Sequence, residues 1–71
     1  MSVFDDVTPI KGLDGDTIKV ASNTNPGTGQ KYVLLKARDG LSGEMAVASV
    51  SPEAARLLAA ELNGLADELE A

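Results

Sequence analysis

The chain has 71 residues, 11 acidic and 6 basic, for a net charge of −5; 44% are apolar, with one Phe, one Tyr and no Trp, Cys or His. A chain of this size makes one domain (1–71) and buries only about 60% of its unfolded surface. No disulfide and no Cys/His zinc site can staple so small a core, which excludes zinc fingers, zinc deaminases and any Ser or Cys nucleophile activated by histidine.

No run approaches the roughly 18 consecutive apolar residues of a membrane span. Acids within residues 1–6 stand where a secretory leader needs a basic start, and the lack of cysteine fits a reducing compartment. The expected location is the cytoplasm, with no membrane contact.

Residues 1–16 lack periodicity and are rich in Asp, Gly and Pro. Thr8-Pro9 and Asp14-Gly15-Asp16 carry turn chemistry. The apolar residues Val3, Phe4, Val7, Ile10 and Leu13 are scattered among them, which predicts an arm laying Phe4 or Ile10 across the core edge. Met1 and Ser2 are expected to fray.

Residues 17–22 (TIKVAS) alternate, with Ile18 and Val20 opposite Thr17 and Lys19, as in a half-buried strand. Residues 23–30 read as a loop whose Pro26-Gly27 pair suits the centre of a type II turn. A second strand follows over 31–38 (KYVLLKAR). It is apolar on both faces, with Tyr32 and Leu34 on one side and Val33, Leu35 and Ala37 on the other, the pattern of a covered or central strand. A five-residue hairpin loop, 39–43, leads to a third strand over 44–50. The predicted fold is α+β: a three-stranded antiparallel meander over 17–50, then one amphipathic helix packed on the sheet.

That helix occupies 51–70. Ser51 suits the N-cap, Pro52 the first helical position and Glu53 the positive end of the dipole. Ala54, Ala55, Leu58, Leu62, Leu65, Ala66 and Leu69 fall within about 120° of arc, a core-facing stripe, with Leu57 about 60° outside it beside Glu61 and Glu68. Gly64 weakens the helix by about 1 kcal/mol relative to Ala. The apolar phase nevertheless continues through Leu65 and Leu69, so a single helix is expected from Pro52 to about Glu68. Acids at 67, 68 and 70 oppose the dipole and call for basic partners.

Chemistry-bearing motifs are missing. The run 25–31 (NPGTGQK) resembles a phosphate loop only in composition: its spacing is wrong, Tyr32 replaces the magnesium-binding hydroxyl, and it leads into a strand. Asp14-Gly15-Asp16 lacks the closing Glu of a calcium loop. No carboxylate pair suggests acid–base work, and Lys19, Lys31 and Lys36 lack the desolvating pocket a reactive lysine needs. The residues therefore predict a non-enzyme with no catalytic group, cofactor or metal.

Apolar surplus is the informative feature. One helix covers one face of a sheet, yet the middle strand is apolar on both sides and Leu57 lies off the stripe. Exposed apolar patches of this kind mark contact sites, and a thin two-layer domain gains by pairing across a two-fold axis. The expectation is a homodimer that binds another protein. Its candidate contacts are Tyr32, Val33, Leu35, Leu57, Glu61 and Glu68, and its acidic outer helix face or basic hairpin is offered to the partner.

Charge is also uneven. Residues 17–38 carry four bases and no acid, whereas 51–71 carry five acids and one base. The two segments can complement each other within a fold or across a dimer. The alternative is a β-sheet DNA reader using Lys19, Lys31, Lys36 and Arg38. Against it, no aromatics interleave with the lysines, and Lys31 and Arg38 differ in parity. A nucleic-acid mimic is weaker still, because the acids are spread along the chain.

The tail from Val47 to Ala71, VASVSPEAARLLAAELNGLADELEA, resembles the C-terminal strand-plus-helix of small uncharacterised proteins of actinobacteria and their phages. The resemblance covers about a third of the chain. It implies a phage or prophage accessory factor that acts by binding a host protein, and it brings no site residue with it.

Overall fold

The computed structural model describes residues 3–71, so the expected fraying of Met1 and Ser2 lies outside the described residues. The order of elements is β1 (Ile10–Lys11), β2 (Thr17–Thr24), β3 (Lys31–Arg38), β4 (Met45–Val50) and α1 (Pro52–Glu70). The strands pair in sequence order as one antiparallel sheet, β1-β2-β3-β4, and the fold is α+β.

Two features differ from the sequence expectation. The sheet has four strands, because part of the expected arm forms β1 and pairs Ile10 with Ile18 and Lys11 with Thr17. Its hairpin is built by Asp14 and Gly15, whose φ angles are 54° and 82°, with the Asp16 N–H donating to the Leu13 carbonyl at 3.0 Å. Two successive positive φ values suit a type I′ hairpin turn, and Asp-Gly is a favoured pair for it.

The other two hairpin loops share a single design. In Asn25–Gly29 the Gly29 N–H donates to the Asn25 carbonyl (2.7 Å), the Gly27 N–H to Asn25 Oδ1 (2.9 Å), and the Gln30 N–H to Thr28 Oγ1 (3.2 Å). In Asp39–Gly43 the Gly43 N–H donates to the Asp39 carbonyl (2.8 Å), the Leu41 N–H to Asp39 Oδ1 (2.9 Å), and the Glu44 N–H to Ser42 Oγ (3.2 Å). The shared pattern is Asn/Asp, two residues, Thr/Ser, Gly. Positive φ falls on Gly29 and Gly43 (73° and 78°), not on Gly27, so the expected type II turn at Pro26-Gly27 is replaced by this wider loop. Because Asn25 begins the loop, β2 extends to Thr24.

The second difference is the placement of the helix. Ser51, extended at φ −67° and ψ 161°, caps α1 by accepting the Ala54 N–H on Oγ at 3.1 Å, and Pro52 opens the helix. The helix continues through Gly64 to Glu70. It touches β3 and β4 but buries little against them. Only Ala54 and Ala55 are half-buried; every other helical residue is exposed, including Leu62 at 58% and Leu65 at 56%. Ser51 alone separates β4 from α1, and connections that reverse direction need several residues. The extended cap carries the helix onward from the sheet, and the chain is 44 Å along its longest axis.

Candidate interaction surface

Residues directly opposite one another in an antiparallel sheet point to the same face. The register therefore sorts the sheet into two faces. One carries Ile10, Ile18, Val20 and Ser22 from β1 and β2, Val33, Leu35 and Ala37 from β3, and Ala46, Ala48 and Val50 from β4. Ser22 is its only polar member before the corner, where Thr24 and Lys31 pair. The other face carries Lys11, Thr17, Lys19, Ala21 and Asn23 from β1 and β2, Tyr32, Leu34, Lys36 and Arg38 from β3, and Met45, Val47 and Ser49 from β4.

Burial runs against hydrophobicity. In β2 the polar Thr17 and Lys19 are half-buried, whereas Ile18 and Val20 are 44% and 42% exposed. The cause is the N-terminal arm, which crosses the basic face. Phe4, the one buried residue among those described, receives the Lys19 Nζ on its carbonyl at 3.5 Å and holds the Lys36 Nζ 5.6 Å from its ring centroid. Lys19 and Lys36 are direct cross-strand partners, an unfavourable pairing of like charges. The carbonyl and the ring face give each ammonium a favourable neighbour. The arm thus covers part of the second sheet face through Phe4, and that face is the charged one; on the apolar face Ile18 and Val20 remain exposed.

The sequence-predicted contacts divide accordingly. Val33 and Leu35 lie on the open apolar face and are half-buried. Tyr32 lies on the opposite, basic face. Leu57, 70% exposed, sits on α1 with the exposed Glu61 and Glu68, away from all three. Beyond these, the open face includes Ile10, Ile18, Val20 and Val50, visible in the sequence as the apolar parity of each strand. The stripe of α1 from Leu58 to Leu69, which sequence reasoning assigned to the core, is exposed as well.

Of the four candidate nucleic-acid contacts, Lys19, Lys36 and Arg38 share the basic face with Lys11, and Lys31 is at the corner of the other face. A shallow groove of about 290 Å³ runs among Pro9, Thr17, Lys19, Lys36, Arg38 and Met45. The acids of α1 are exposed along the helix.

The described residues include no group of three or more metal-ligating side chains, and no helix is long and apolar enough to cross a membrane. Asp14, Gly15 and Asp16 are occupied with the β1–β2 turn. The Leu41 N–H, then Ser42, hold the Asp39 carboxylate below the usual aspartate range. Comparison with protein-family models, with curated proteins and with solved structures finds no match.

Proposed function

We propose that this chain is a non-catalytic interaction protein that works as a homodimer. One observation carries the reading: in β2 Ile18 and Val20 are exposed while Thr17 and Lys19 are half-buried. Area supports it. A compact protein of 7.3 kDa exposes about 4,200 Å², whereas this chain exposes 5764 Å². The excess is about 1,600 Å² per protomer, so a pair could bury about 3,200 Å², within the range of obligate homodimers. The radius of gyration is likewise 13.9 Å, against about 11 Å for a compact chain of this length.

Association through apolar surface leaves the charged outer face of α1, with Glu61 and Glu68, to a different protein. An accessory role against a host protein, in a phage or prophage setting, rests on the resemblance of the tail alone. Multi-angle light scattering at micromolar concentration tests the reading. A mass of two chains is expected; a stable, folded single chain overturns it.

The gathering of Lys11, Lys19, Lys36 and Arg38 on one face favours a second reading, a sheet that contacts the phosphates of duplex DNA. Phosphate contacts release counterions, so such binding falls steeply with salt. No gel shift at low salt would dismiss this reading.

A further inference from the structure

We propose that the dimer forms by reciprocal exchange of helices, each α1 laying its apolar stripe across the open sheet face of a second copy of this chain. The proposal rests on the self-association argued above and specifies its surface. Three observations converge on it.

The first is a matched pair of surfaces on one chain. The sheet offers Ile18, Val20 and Leu35, and the helix offers Leu58, Leu62 and Leu65 in one stripe. Ile18, Val20 and the three helix leucines are exposed, and the two surfaces have the shapes that pack in two-layer domains, a sheet face and a helix stripe. The second is connectivity. One residue, Ser51, joins β4 to α1 in extended geometry, so the stripe beyond Leu58 is carried away from its own sheet. A sheet that reaches it must belong to another molecule.

The third is area and charge. A 19-residue helix is about 28 Å long, comparable with the eight-residue strands at about 27 Å, so the stripe can span the face. Two helix-on-sheet contacts related by a two-fold axis bury both excess surfaces and close the assembly at two chains. Exchange also brings the acids of α1 toward a sheet face whose corner carries Lys31.

Complementation tests this, using Leu62→Glu on the stripe and Val20→Lys on the sheet face. Both positions are already solvent-exposed in the protomer. Each variant alone places two charges in the two symmetric contacts, weakening dimerisation by about 100-fold or more. Mixed, the two variants form a heterodimer with one wild-type contact and one Glu–Lys contact, so association returns. That holds whether each variant alone is a folded monomer or fails to fold, because the mixture is scored by recovery of a two-chain mass and of helical circular dichroism.

A second measurement uses the absence of cysteine. Chains bearing Ala48→Cys on the sheet face and Ala66→Cys on the stripe, mixed and treated with a short bismaleimide, are expected to link mainly to each other. A wild-type dimer in which the charged variants do not rescue one another, with Ala66→Cys chains linking only among themselves, overturns helix exchange in favour of helix-to-helix pairing. The self-association reading survives that result. A folded wild-type monomer removes both.

Discussion

The Asp16 carboxylate accepts the Gly40 N–H at 2.8 Å, joining the β1–β2 turn to the β3–β4 loop across 24 residues. At the same contact the Gly40 α-carbon lies against the backbone of Asp14 and Gly15, so that an added Cβ would fall on their atoms. Gly40 is therefore required by close approach, although its own φ is not positive. Gly40→Ala is expected to lose about 1–3 kcal/mol of stability through overpacking against main chain that cannot swing aside. Asp16→Ala, which removes one exposed charge-assisted hydrogen bond, is expected to lose about 1 kcal/mol. Urea unfolding measures both. Equal, negligible losses would mean that the two loops do not depend on each other.

Asp39 provides a pH test, because its twin in the other loop is Asn25. The Leu41 N–H, with Ser42, stabilises the Asp39 carboxylate and depresses its pKa. A depressed folded-state value contributes stability that is complete above the ordinary aspartate value of about 3.9 and is lost as the pH falls through the lower folded value. Asp39→Asn keeps an oxygen for the Leu41 N–H, as Asn25 does for Gly27, but removes the titration. Unfolding midpoints compared between pH 7 and pH 3 are expected to decline less steeply in this variant, and parallel slopes would count against the role given to Asp39.

Much of the fold was legible because local chemistry decides it. Ser51-Pro52-Glu53 announces a helix start wherever the helix goes, and strand parity placed Val33 and Leu35 on one face. Strand β1 was missed although Asp14-Gly15 is a strong hairpin signal, because only two residues pair and no alternation precedes them. The helix was assigned to its own sheet because a stripe records that apolar residues need cover, not which molecule supplies it. The single-residue connection at Ser51 leaves the helix little chain with which to fold back. The cover on the basic face was not legible: nothing in residues 3–7 says that Phe4 goes to the side of Lys19 and Lys36.

Phe4 is the one buried residue described, so its removal is a sharp test of the arm. Phe4→Ala is expected to cost about 2–4 kcal/mol, below the full-core range because the surrounding side chains are only half-buried. The same change removes the ring face beside the Lys36 Nζ and leaves the opposed Lys19 and Lys36 less well screened. Phe4→Leu restores apolar volume without the aromatic face and is expected to recover most of the loss. If leucine recovers nothing, the cation–π contact outweighs packing. Thermal melts at low and high salt separate the terms, since screening relieves the lysine repulsion.

Gly64 is conspicuous because nothing in the protomer needs it: α1 continues through it, and an added Cβ meets no atom within 4 Å. On the helical wheel it lies about 140° from the centre of the apolar stripe, so helix exchange also leaves it facing away from the partner's sheet. Alanine at this position gains helix propensity of about 0.8–1 kcal/mol per chain. Gly64→Ala is therefore expected to raise the melting temperature by about 4 °C or more with the oligomeric mass unchanged. Stabilisation together with loss of the dimer would place a second chain against Gly64 and point to pairing through the Gly64 side of the helix instead of the leucine stripe.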